Sequence, residues 1–551
     1  MALEYFDLNA YLGALTKIHQ WWKPLWQDIT DYVLQRRSFW DMEGQEGKRP
    51  ATKIYDDSAL DSLQLLVDGM VGYLVSPKNK WFRLQMQDPK QNKLPGVMDY
   101  LEEVEDVLYA EFARSNFYEA VSEFFLDAAS IGTAAMLVED DVAEQRTLFR
   151  TFHIKEYRIA EARTGLVDTL FRDYKLTNRK IMQTWGKDKL HPSLLEDIKN
   201  SPYGTTRIVH GVYPRSDRDY TRADGINKPW ASEYWDMKNQ VVIDEGGYDS
   251  FPFLVWRWRK NTDESYGRSP AADAINDVMR LNQMGRTSLM AGQLAVEPPL
   301  NVPQDMQGKE RIVPRGYNYY TNPQKIISPI DLGARYQVAK EEEQEIRDQI
   351  RSIFRSRIFV LMEMLEGTNR TATEVREIKG EQAAVLGATI GRLNSETLIP
   401  LINREYDICD RNAKLPPAPL ALYAGGNRTI KIEFMGPLAE AQKRYHRSQG
   451  VIAATALAAD IGTIFPESLD IADGDELMRA GLDAQGAPQK AIRELPEIRK
   501  IRQIRQQQQA EQQQLAMSLE TQKNVAGNFD KLNQPVNPDS ALAQIAGGRG
   551  E

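Results

Sequence analysis

Two stretches of helical period, separated by a run that no helix can cross, constrain this chain more than any other feature. The first opens at Ser265 as SYGRSPAADAINDVMRLNQMGRTSLMAG. Ser269 can cap it, and Pro270 suits the first helical position, where a missing N–H costs nothing. It runs to about Gly292. The next segment, VEPPLNVPQDMQGKERIVPRGYNYYTNPQKIISPIDLG, holds six prolines. Each lacks an N–H and crowds the preceding turn, so the segment forms loops and short strands. Helix resumes at Tyr336 and is expected to reach about residue 362. Ile346, Ile350, Ile353, Phe354, Ile358, Leu361 and Leu365 mark its apolar face. Glu341, Glu342, Glu343 and Glu345 lie near its start and Arg351, Arg355 and Arg357 later, which matches the helix dipole. Arg347, Arg351 and Arg355 recur at steps of four and should share a second face. Gly367 breaks the helix at EGTNRTATEV. Thr371 or Thr373 can cap a further helical run of about forty residues, bent near Gly387, Gly391 and Pro400.

The chain before this stretch has a different texture. Leu12, Leu15, Ile18, Trp22, Trp26, Ile29 and Val33 make one face of a helix over residues 3–40. Residues 41–53 form a loop. A second helix starts at Asp57 or Ser58 and stops at Ser76-Pro77. KNKWFRLQM reads as a short strand. Two helices follow, ending near Asn116 and at Gly132. From TAAMLVED to VWRWRK the chain alternates short aromatic-rich strands with turns, interrupted by the helical TNRKIMQTWG and HPSLLEDIKN. This is an α+β class: a helical layer followed by mostly antiparallel sheet. Beyond residue 414 come a linker and one strand, an alanine-rich helical segment over 438–483 and a glutamine-rich helix over about 493–522. The last residues, NPDSALAQIAGGRGE, have a disordered composition.

With 551 residues, the chain is too long for one core; about three or four domains are expected. Basic residues number 69 and acidic 78, a net charge of −9. That balance argues against tight sequence-blind DNA binding, and leaves open a protein that lets DNA pass, since an acidic wall repels phosphate and discourages sticking. The single cysteine, Cys409, excludes an intrachain disulfide and reads as a small buried hydrophobe in a reducing compartment. The N-terminus lacks signal-peptide character, and no apolar window is long enough to span a membrane. Phosphate-loop chemistry fails: the Gly-Lys pairs at 47, 186 and 308 lack the spacing and the following Ser or Thr. Five scattered histidines show no metal-ligand pairing, and DIADGDELM fails the calcium-loop pattern. No cofactor is expected and nothing singles out a catalytic set. Arg370, Arg376 and Lys379 flank the polar break at Gly367. They read either as a solvated helix face or as weak contacts to a phosphate backbone.

Five stretches in order carry a family likeness: LVSPKNKWFRL, NFYEAVSEFFLDAASIGTAAMLVED, PFLVWRWRKNTDESYGRSPAADAINDVMRLNQ, GTNRTATEV and IEFMGPLAEAQK. The chain resembles the portal, or head-to-tail connector, proteins of short-tailed bacteriophages over most of residues 1–480. The resemblance implies a non-enzymatic portal-type fold assembled as a ring, usually of about twelve subunits, at one capsid vertex. It implies a wing over 1–264, stem helices over 265–295 and 336–365, and a clip over 296–335. A tunnel loop would span 366–372, a long wing helix and strand 373–436, and a crown 437–490, with residues 491–551 outside the likeness. Thr368, Asn369, Arg370, Arg376 and Lys379 would face DNA, and Arg347, Arg351 and Arg355 would lie on the stem. Implied partners are other copies of the chain, non-specifically held double-stranded DNA, the terminase large subunit, tail adaptors, scaffold and major capsid protein, with no membrane. The protein would assemble in the host cytoplasm and reside in the virion. A tail adaptor or internal scaffold is the alternative, though adaptors are shorter and scaffolds lack the sheet-rich region. A DNA-processing enzyme is a third reading, which a nuclease or ATPase assay discriminates.

Overall fold

The computed structural model describes residues 5–35, 53–297 except 217 and 223, 300–302, 336–356, 386–420, 429–435 and 500–512, with a few isolated positions between them. The expected tunnel loop, most of the clip, residues 373–385, nearly all of 437–490 and the terminal tail lie outside the described residues. The chain divides into two units, Met1–Tyr445 and His446–Glu551.

In the first unit, helix α1 (Tyr5–Tyr32) serves two cores. Leu8, Leu12 and Leu15 pack on Phe171, Val209, Tyr213 and Trp235, while Trp26, Ile29 and Val33 join the main core. The expected stripe is therefore real, although Ile18 and Trp22 are only partly buried. Helix α2 (Ser58–Leu74) leads to strand β1 (Phe82–Met86), then to α3 (Val97–Arg114) and α4 (Phe117–Ile131). Gly132 ends α4 in a left-handed conformation, φ 99°.

Strands β2 (Thr133–Asp141), β3 (Arg146–Phe152) and β9 (Phe253–Arg257) form an antiparallel sheet in the order β3-β2-β9. Residues 133–138 and 253–257 are buried without alternation, because both faces of this sheet are covered. Between them lies a five-stranded antiparallel sheet: β4 (Tyr157–Glu161), β5 (Val167–Thr177), β6 (Thr205–Pro214), β7 (Trp230–Asp236) and β8 (Val241–Tyr248), paired in chain order. Helices α5 (Asn178–Trp185) and α6 (Pro192–Asn200) are inserted between β5 and β6. Their Ile181, Trp185, Leu194 and Ile198 cover Ile208 and Ile243 of the sheet. The sequence places every one of these strands and both inserted helices.

The long helices come next: α7 (Pro270–Val296) and α8 (Tyr336–Ile353). The short pair β10 (Leu300–Asn301) and β11 (Ser328–Pro329) lies between them in sequence. Helices α9 (Gly387–Leu393) and α10 (Ile399–Arg411) are joined by one π-turn, Asn394–Leu398. The N–H of Ile399 bonds back to Asn394 O, five residues away. The slip sits beside Pro400, which has no N–H to continue the ladder, so the expected bend takes the form of a wide turn. Strand β12 (Ile430–Phe434) pairs with β1, more than 340 residues away in sequence, with Leu84 opposite Ile432. In the second unit, residues 500–512 are helical and Arg502 pairs with Asp475 at 2.5 Å.

Candidate functional site

The functional candidate is the antiparallel pair α7 and α8, and its geometry starts at the base of α7. Ser269 caps that helix: its hydroxyl accepts from Ala272 N–H at 2.9 Å and donates to Ser130 O at 2.6 Å. One side chain thus satisfies a free helix donor and ties α7 to the end of α4. Beside it, two glycines allow backbones to touch. A Cβ on Gly132 would lie 2.2 Å from Gly267 O, and one on Gly267 would lie 2.4 Å from Gly132 O. Only glycine fits at either position.

A single guanidinium holds the surrounding segments together. Arg257 ends β9 and its side chain is fully buried. Its Nη1 reaches Glu161 Oε1 at 2.5 Å, and its Nη2 reaches Glu396 Oε1 and Gly165 O at 2.7 Å each. Its backbone N–H donates to Glu396 Oε2 at 3.0 Å. Glu396 lies in the π-turn, where the wide turn aims it at Arg257. Glu161 also binds Lys260 at 2.6 Å, and Arg392 reaches Glu396 at 3.1 Å. The hub joins the β4–β5 hairpin, β9, the approach to α7 and the turn before α10. A buried pair of this kind holds segments in one arrangement more than it adds net stability.

Further along, polar contacts fix α8 against α7 and the segment before α2. Ser288 on α7 donates to Glu343 on α8 at 2.5 Å. Arg347 reaches both Asp56, at 2.8 Å, and Glu343, at 3.2 Å. The side-chain amide of Asn282 accepts from Tyr55 N–H at 2.7 Å. Ile346, Ile350 and Phe354 are buried in the main core, as the period predicts.

Arg347, Arg351 and Arg355, expected on the stem, do not behave alike. Arg347 is engaged as a structural clamp. Arg351 pairs with Asp348 at 3.3 Å and stays 41% exposed. Arg355 departs from the expectation that all three share a helical face. The α-helix stops at Ile353, and Arg355 adopts φ 54°, outside helical space. Its N–H donates to Ser352 O at 3.1 Å, and the Ser356 hydroxyl donates to Arg351 O at 3.3 Å. These contacts close the turn locally, where a continuous helix to 362 had been expected. Thr368, Asn369, Arg370, Arg376 and Lys379 lie outside the described residues.

Sequence reasoning missed Arg257, Glu396 and Asp56. Arg257 gives one signal, a cation closing the otherwise apolar strand FLVWR; its partners come from 96 and 139 residues away and give none. Two of the scattered histidines prove to be packing residues. Burial drives both His19 and His210 down to about 3, so both are neutral. Burial pushes the Cys409 thiol up to about 12, which makes it unreactive. Among the described residues, no group of three or more His, Cys, Asp or Glu could hold a metal ion. No described helix is long and apolar enough to cross a membrane.

The C-terminal half of α7 presents apolar side chains to water. Leu289 is 52% exposed, Met290 53% and Leu294 43%. Contiguous exposed apolar groups on a helix mark an interaction surface.

The chain is 28% identical over 492 residues to a "Probable portal protein" of Bordetella phage BPP-1, covering 87% of each chain. It is 28% identical over 548 residues to a "Portal protein" of Salmonella phage epsilon15, covering 95% of each. A chain in the neck of an empty GTA particle, computed with C6 symmetry, aligns over 72% of this chain and 86% of its own, at 12% identity and a TM-score of 0.33. The family model described as bacteriophage head to tail connecting protein matches residues 7–492. This chain belongs to the bacteriophage head-to-tail connecting protein family.

Proposed function

We propose that the chain is a portal protein. Copies form a ring at one capsid vertex, and its bore passes double-stranded genomic DNA during packaging and ejection. The observation that carries the ring is the exposed apolar side chains Leu289, Met290 and Leu294 on α7, a helix that also packs against α8. Apolar area left in water forgoes about 25 cal/mol per Å², and a neighbouring copy set head to tail covers it and closes the ring. Family membership and the two portal-named relatives support the same reading.

In this reading α7 and α8 are the stem, the proline-rich segment between them is the clip, and residues 366–372 are the tunnel loop. The sheet-rich body is the wing and residues 437–490 are the crown. Thr368, Asn369, Arg370, Arg376 and Lys379 touch the DNA backbone without reading sequence, while the net negative chain discourages sticking. The terminase large subunit and later the tail adaptors dock at the clip end, and scaffold and major capsid protein surround the ring. About twelve subunits complete it. A separate motor supplies the energy, so the role is structural. Assembly takes place in the host cytoplasm and the product stays in the virion.

Negative-stain microscopy of the purified chain tests this directly. Rings with a central hole are expected; a wild-type chain that remains monomeric at high concentration refutes the reading. Leu289→Ser with Leu294→Ser should leave the monomer folded and abolish rings. Deleting Thr368–Arg370 should preserve rings and lower DNA retention in particles; unchanged retention would overturn the tunnel-loop assignment.

A further inference from the structure

Helices α7 and α8 carry opposite charges on their open faces. Between residues 280 and 294 the only charged side chains of α7 are Arg280 and Arg286, both exposed. The exposed face of α8 carries Glu341, Glu342 and Glu345. Among the described residues none of these five makes an ion pair. They cannot reach each other within one chain, since the contact between the helices is made by Ser288, Glu343 and the buried stripe. Lys340 sits about 140° round the helix from Glu345.

Their heights along the helix pair correspond. The bond between Ser288 and Glu343 sets one level. Tyr55 and Asp56, adjacent in sequence, bind Asn282 and Arg347, so residue numbers fall along α7 as they rise along α8. The helices are therefore antiparallel. Arg286 lies two residues before Ser288 and Glu345 two residues after Glu343, so each is displaced about 3 Å in the same direction. Glu341 and Glu342 fall at the level of Met290 and Leu289, and Arg280 falls at the level of Arg351, so Arg286 and Glu345 are the pair of opposite charges matched in height. A rotation about an axis near the helix direction preserves height, so it brings groups of equal height face to face.

We propose that the outer face of α7 docks on the outer face of α8 in the next copy of the chain, with Arg286 opposite Glu345. This rests on the ring reading and deepens it by naming the two surfaces that meet. The exposed apolar groups of α7 supply contact area, and this charge pair favours the α7-to-α8 pairing over the like-charged Arg286-to-Arg286 and Glu345-to-Glu345 pairings.

Two reversals test the seam. One chain carries Arg286→Glu; the other carries Glu345→Arg. Both positions are exposed, so each monomer should keep the wild-type far-ultraviolet dichroism. Assembly is followed by sedimentation velocity and negative stain at low salt. Each reversal alone should raise the half-assembly concentration about tenfold or more, and salt should shrink the difference. An equimolar mixture of the two chains, and one chain carrying both changes, should assemble within about threefold of wild type. If wild type forms rings and either single reversal assembles normally, the seam is overturned while the ring reading stands; a Glu345 tolerant of reversal would line the bore instead. If both reversals block assembly and neither combination rescues it, the proposed pairing is wrong. If wild type forms no rings, both readings fail together.

Discussion

Replacing Arg257 with methionine should destabilise the junction of β9, the β4–β5 hairpin and the turn before α10 by about 3 kcal/mol, near the lower end of the ~3–5 kcal/mol typical when one partner of a buried ion pair is removed. The change leaves Glu396, whose side chain is only 5% exposed, and orphans Gly165 O. Two neighbours soften the loss. Arg392 still reaches Glu396 at 3.1 Å and Lys260 still reaches Glu161 at 2.6 Å. Glu396→Met should cost a similar amount, since Arg257 then keeps Glu161 as its one carboxylate partner beside the Gly165 carbonyl. The double variant Arg257→Met/Glu396→Met removes both charges and should cost about 1–2 kcal/mol, because the bond from Arg257 N–H to the carboxylate is still lost. Native-state hydrogen exchange of the β9 amides measures these values locally, without treating the whole chain as two-state. Trp256 and Trp258 flank the site and report on it by fluorescence in urea. A single-variant cost below about 1 kcal/mol, or a double variant no better than the sum of the singles, would refute a coupled hub.

Gly132→Ala should cost about 3 kcal/mol or more, since its Cβ would overlap Gly267 O at 2.2 Å and φ is 99°; a soluble variant with unchanged melting temperature would contradict that contact. Ser269→Ala should cost about 1 kcal/mol as a lost cap, measurable as faster exchange in the first turn of α7. Glu405 is buried, and its Oε2 has no hydrogen-bond partner among the described residues. Burial pushes its carboxyl from 4.5 up to about 7, opposed by the Thr147 hydroxyl and reinforced by Glu111 and Asp140. The folded state therefore holds this proton more tightly than the unfolded chain. Its contribution is present in full below about pH 4.5 and is lost as pH rises to about 7, a change of about 3 kcal/mol. Glu405→Gln should remove that part of the pH slope in urea unfolding, and an unchanged slope would exclude Glu405 as its source.

What the chain's own letters determine is local. The stripes of α1, α2 and α8, the caps at Ser269 and Gly132, the proline barrier after α7 and the order of short strands all follow from period, capping and proline chemistry acting over a few residues. The family likeness also lies in contiguous motifs, and so was legible. Tertiary structure alone decides which distant residues meet. Arg257 with Glu161 and Glu396, Arg347 with Asp56, and β1 with β12 join positions scores to hundreds of residues apart. No periodicity records such pairs, because desolvation sets their energy and burial exists only after folding. The stop of α8 at Ile353 is of the same kind. The apolar period runs on through Ile358 and Leu365, yet the backbone turns at Arg355. Local pattern places a helix, while the packing and hydrogen bonds around its end decide where it stops.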